Sequence, residues 1–111
     1  MLDADMYFDR DGKPMSQQDW STRFHDLDYK RVAVHERGDE MVSTVWVGMD
    51  MGFTRGLPII FETMVFGYGD WDQFQTRYAT EKEALIGHDQ IVVLIQSGAT
   101  PDDWYAAHEE D

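Results

Sequence analysis

Apolar and polar residues change their spacing several times along this chain, and each change marks an element. Trp20, Phe24 and Leu27 recur at i, i+4 and i+7, which is one face of a helix. Ser16 stands before them as an N-cap, Asp19 follows three residues on, and Met15 and Trp20 hold hydrophobic-staple positions. The spacing predicts a helix over 17–27. Ahead of it, Tyr7-Phe8 reads as a short strand entering the turn Asp9-Arg10-Asp11-Gly12, after which Pro14 blocks immediate continuation of the strand.

The middle of the chain follows a period of two. Residues 29–37 alternate partly, Gly38-Asp39-Glu40 turns the chain, and 41–49 (MVSTVWVGM) is a strand rich in β-branched residues. The two segments predict an antiparallel hairpin, with Val42, Thr44 and Trp46 on one face and Ser43, Val45 and Val47 on the other. A loop over 50–57 leads to 58–66 (PIIFETMVF), apolar on both faces and so expected to lie centrally, covered on both sides. Gly67-Tyr68-Gly69-Asp70 turns into a fourth strand over 71–78, with Phe74 and Thr76 on one side and Gln75 and Arg77 on the other.

Thr80-Glu81-Lys82-Glu83 has capping-box spacing and opens a helix that puts Ala84, His88, Ile91 and Ile95 on one face, with Gly98 as its C-cap. Thr100-Pro101-Asp102-Asp103 resembles a second helix start. The expected fold is α+β, an antiparallel sheet of about four strands with two or three helices packed on one face. Residues 1–98 read as a single domain and 99–111 as an acidic short helix or tail.

Composition narrows what such a fold can do. With 42% hydrophobic and 14% aromatic residues in 111, the chain can build a core. It has no cysteine, which removes disulfides, cysteine-ligated zinc and thiol chemistry. Net charge is −13, of which −3 lies in residues 1–11 and −5 in residues 98–111. Phosphates would be repelled, so direct nucleic-acid binding is not expected and a basic protein surface is the favoured partner. Charge gathered at the ends also argues against a mimic of DNA. The first residues are acidic where a signal peptide is basic, and the longest aliphatic run, Ile91–Ile95, is far short of a membrane span. A cytoplasmic protein with no membrane contact is the expectation.

Several residues could carry chemistry, each with a plainer reading beside it. Arg55 lies in a loop and, with Arg77 and Tyr78, could grip a phosphate or carboxylate, though no phosphate-loop pattern is present. Glu62 sits in an apolar strand, either as an acid of raised pKa or as the partner of Arg77 or Arg55. His88 is either a base in a pocket or a histidine bonded within the core. His25, Asp26, Asp28, His35 and Glu36 fit no metal-ligand spacing, and Ser43 and Thr44 lack the glycines of a nucleophile elbow. No catalytic residue, metal or cofactor is assigned. Trp71 between Asp70 and Asp72, and Trp104-Tyr105 after Asp102-Asp103, are the aromatic and acidic residues suited to a partner.

Three separated segments carry a resemblance: STVWVGMDMGF (43–53), GLPIIFETMVFG (56–67) and RYATEKEALIGH (77–88). In this order they resemble small accessory proteins encoded in bacteriophage and prophage genomes. The resemblance implies expression in a bacterial cytoplasm and an effect on host machinery. Three readings follow. The first is an interaction protein that binds a host protein with a basic surface and so inhibits a nucleic-acid-handling or defence complex. The second is a binder of a small anionic, nucleotide-like ligand at Arg55, Glu62, Arg77, Tyr78 and His88. The third is a small hydrolase-like enzyme using Glu62 and His88. Aromatic content and open strand edges also permit a homo-oligomer.

Overall fold

The structure, a computed structural model, describes residues 6–52 and 56–108. Four strands, β1 (Arg31–Arg37), β2 (Glu40–Trp46), β3 (Phe61–Phe66) and β4 (Gln75–Tyr78), form one antiparallel sheet in the order β1-β2-β3-β4. Helices α1 (Gln17–Phe24) and α2 (Leu27–Lys30) precede it, and α3 (Glu81–Gln96) and α4 (Pro101–Ala107) follow it. The architecture is α+β, with a four-stranded antiparallel sheet and helices packed against it.

Local chemistry explains most of these elements. Arg37 pairs with Glu40, which leaves a two-residue turn, and Gly38 takes the positive φ (+60°) that the first residue of a type II′ turn requires. Val42, Thr44 and Trp46 of β2 are fully buried beside Phe61, Thr63 and Val65 of β3. The α3 capping box is complete, and α3 lays Ala84, Gly87, His88 and Ile91 onto that face. Ile95 packs at its edge. The core divides into a cluster around Val42, Val65, Trp71, Phe74 and Ile91 and another around Trp46, Ile60, Phe61 and Ala84.

Five expectations need correction. The helix over 17–27 is two helices. His25 caps α1, and the Asp26 carboxylate accepts the Asp28 and Tyr29 N–H groups to start α2. Leu27 is consequently 66% exposed instead of sharing the face of Trp20 and Phe24. Residues 7–8 form only isolated bridges, Tyr7 to Met49 and Phe8 to Pro14. The third strand is covered on one side only. Glu62 and Met64 are half-buried and Phe66 is 40% exposed, because the helices that pack on the sheet approach its other face.

The fourth strand starts at Gln75. Tyr68 (φ +62°) and Gln73 (φ +69°) bracket a single 3-10 turn, which extended backbone cannot cross. That turn folds Trp71 inward to 3% exposure, so Trp71 is a core residue instead of the surface aromatic expected. Its indole N–H donates to the Ala99 carbonyl at 2.9 Å, tying the segment before α4 to the body. Among the described residues no helix is long and apolar enough to cross a membrane.

Candidate functional site

Side chains alternate across a strand, so the register decides which candidates can meet. Glu62 pairs with Arg77 and Val45, on the face opposite α3, and its carboxylate accepts from Arg77 Nε at 3.2 Å. Tyr78 is the next residue after Arg77 and therefore points to the opposite face, where its hydroxyl donates to Thr63 Oγ1 at 3.0 Å. His88 lies on that covered face as well, 5% exposed. The five residues of the anionic-ligand reading are thus not all gathered. Arg77 and Tyr78 both border one surface depression, but Glu62 and the Arg77 Nε that it binds lie on one side of the sheet, the Tyr78 hydroxyl and His88 on the other, and Arg55 lies outside the described residues. Glu62 and His88 are separated by the sheet and cannot share one substrate.

On the covered face the polar groups form a chain. Thr63 Oγ1 and Thr44 Oγ1 are 2.5 Å apart, and Thr44 Oγ1 is 2.7 Å from His88 Nδ1. Each hydroxyl hydrogen finds an acceptor if Tyr78 donates to Thr63, Thr63 to Thr44, and Thr44 to an unprotonated His88 Nδ1. This leaves the proton of the neutral imidazole on Nε2. Burial pushes the His88 pKa below its ordinary value, with His35 adding to the shift and Asp89 opposing it. Burial also raises the Tyr78 hydroxyl pKa, which the Thr63 bond partly offsets. Satisfied and closed in on the helix side, this chain holds α3 in register with the sheet.

A different surface lies open to solvent. Ile86, Gln90 and Val93 recur at i, i+4 and i+7 on α3, away from its buried stripe. Ile86 is 49% and Val93 60% exposed. Beside them α4 rises, anchored by Trp104, which meets Phe74 edge to face at 5.2 Å between ring centroids. His108 stacks on Trp104 at 3.9 Å, and its Nε2 lies 3.2 Å from Gln90 Oε1. Between the helices runs an apolar groove of about 370 Å³, floored by Val93, Leu94 and Ala107 and edged by Asp89 and His108. A wider depression of about 570 Å³ continues it past Ile86 toward Tyr78 and Ala79.

Of the residues expected to meet a partner, Trp104 is half-buried and positions α4, while Tyr105 stays 56% exposed. Asp102 and Asp103 are exposed on its first turn. Asp103 also accepts the Thr100 N–H at 2.8 Å and so caps the helix. Asp70 and Asp72 are exposed near the 3-10 turn, and Asp72 accepts the Gly67 N–H at 2.7 Å. Sequence reasoning missed Ile86, Gln90 and Val93. The signal was there: α3 carries apolar residues on more than one face, more than a single packing surface needs.

The geometry defines a small α+β domain, with a polar chain closed inside and an apolar groove, edged by Asp89, outside. The chain matches no protein-family model, no curated protein and no solved structure.

Proposed function

We propose that the protein acts by binding another protein through the α3–α4 groove, and that the bound segment is basic and amphipathic. The groove carries this reading: its floor is apolar and Asp89 stands at its edge, while Asp102, Asp103 and the exposed Tyr105 lie farther along α4. An amphipathic helix would lay its apolar face on Val93 and Leu94 and its lysines or arginines against the acids. The chain's net charge of −13 would steer such a partner inward and repel nucleic acid. Likeness of the strand motifs to phage-encoded proteins suggests a bacterial partner, a component of a nucleic-acid-handling or defence complex that is inhibited when held.

The test is capture from bacterial lysate with the intact chain, the Val93→Asp variant and the Asp89→Lys/Asp102→Lys variant side by side. A partner retained by the parent, lost with both variants and released by salt supports the reading. A partner held equally by all three removes the groove from the interaction. A second reading, the binding of a small anion, would need Arg77 freed from Glu62, and it predicts a thermal shift with nucleotides that Arg77→Ala abolishes.

A further inference from the structure

The sheet face opposite α3, which α2 reaches only at a corner through Leu27 and Lys30, has its own pattern. In register across it lie Arg31, Val45, Glu62 and Arg77, then Val34, Ser43, Met64 and Gln75, then Glu36, Met41 and Phe66. Val34 and Met64 lie in the central row beside Ser43 and Gln75, and Val45, Met41 and Phe66 in the outer rows, with Val34 36% and Phe66 40% exposed. Its charged members in the strands are two arginines and two glutamates, with Lys30 at its corner, so this face carries no net negative charge in a chain of −13. A basic partner gains nothing there. A second copy of the same chain, repelled everywhere else, can approach there.

The rows are also self-complementary. Consider a two-fold axis lying between two such faces, across the strands and along the middle row. It returns Val34, Ser43 and Met64 onto their own counterparts and exchanges the outer rows. Arg31 then faces Glu36 of the second copy, and Glu36 faces its Arg31; Val45 faces Met41, and Glu62, already held by Arg77 of its own chain, comes opposite Phe66. Met41 meets the hollow of about 190 Å³ bounded by Leu27, Ser43 and Val45. A residue i that meets j while j meets i is what a closed dimer demands. Two twisted sheets pack face to face in this manner, and burial would account for the exposed Leu27, Val34 and Phe66.

We propose that the protein forms a symmetric dimer by packing the sheet face opposite α3 against the same face of a second copy, with reciprocal Arg31–Glu36 ion pairs setting the orientation. This interface is separate from the α3–α4 groove and leaves it open in both copies.

Sedimentation of the intact chain between roughly 1 µM and 1 mM tests it. The expected result is a shift from one to two chain masses within that range. Met64→Glu and Arg31→Glu each weaken association at least about tenfold while circular dichroism stays that of the parent. Arg31→Glu/Glu36→Arg together restore the dimer. A single chain mass at every concentration overturns the proposal, even if some other protein is found to cover the face. A dimer that persists in Met64→Glu overturns it too, as does a double exchange that fails to recover what Arg31→Glu lost.

Discussion

Replacing Gly87 by alanine sets two physical effects against each other. In an exposed helix interior the change stabilises by about 1 kcal/mol, since glycine is the poorer helix former. Here a β-carbon on Gly87 would stand 2.6 Å from Tyr78 Cζ, and closer still to Cε1 and the hydroxyl oxygen. The ring must retreat by roughly 1 Å to reach ordinary contact, and overpacking of this kind costs about 1–3 kcal/mol. Retreat also stretches the 3.0 Å bond from Tyr78 to Thr63. Losing it costs about 1 kcal/mol more, because Thr63 is buried. The net expectation is a loss of about 1–3 kcal/mol, or a melting point lower by about 5–15 °C for a domain of this size. Urea unfolding followed by circular dichroism reads the change as a lower midpoint at constant slope. In a Tyr78→Ala background the clash is gone, and the same substitution should stabilise the protein. Gly87→Ala at least as stable as the parent would refute the close contact of α3 with β4.

Three further outcomes are expected. His88 has a lowered pKa when folded, so the unfolded chain binds its proton first. The stability His88 contributes is complete above the unfolded value near 6.5 and is lost as pH falls through it toward the folded value. Thermal melts from pH 7.5 to 5.5 should fall more steeply for the parent than for His88→Asn, and parallel curves would contradict the buried chain. Arg10 grips Glu81 with two bonds of 2.8 and 2.7 Å and also donates to the Tyr29 carbonyl, tying the first turn of α3 to the segment before α1. Arg10→Ala should cost about 1 kcal/mol at low salt and less at high salt, for a pair that stays partly wet; a salt-independent cost would exclude the ion pair as its cause. Trp104→Ala should cost about 2 kcal/mol, below the fully buried value, and shift Trp71 emission to the red as α4 leaves Phe74. Unchanged emission would mean that α4 does not cover that cluster.

Where one physical rule acted alone, the fold was legible from sequence. The period-two pattern placed Val42, Thr44 and Trp46 on one face of β2, and all three are fully buried. The Thr80–Glu83 capping box marked the start of α3, and the 3.6-residue stripe marked its buried side. Legibility failed where two rules competed. The stripe through Trp20, Phe24 and Leu27 runs on across the point where Asp26 prefers to cap a new helix, and the cap prevails. An apolar Met64 and Phe66 suggested cover on both sides of β3, but cover depends on how many helices the chain has to spend. Trp71 reads as exposed beside two aspartates until left-handed Tyr68 and Gln73 turn it inward. The position of His88 could be read from α3 alone. Its partner Thr44 is 44 residues away, and only the finished sheet brings the two together.

All site assignments depend on α3 covering one face of the sheet while the other lies away from it. Methyl-to-methyl nuclear Overhauser contacts measure this directly. Ile91 should show cross-peaks to Val42 and Val65 and none to Val45 or Met64, and a sheet-to-sheet dimer would leave that pattern unchanged. Cross-peaks from Ile91 to Val45 or Met64, with none to Val42 and Val65, would contradict it.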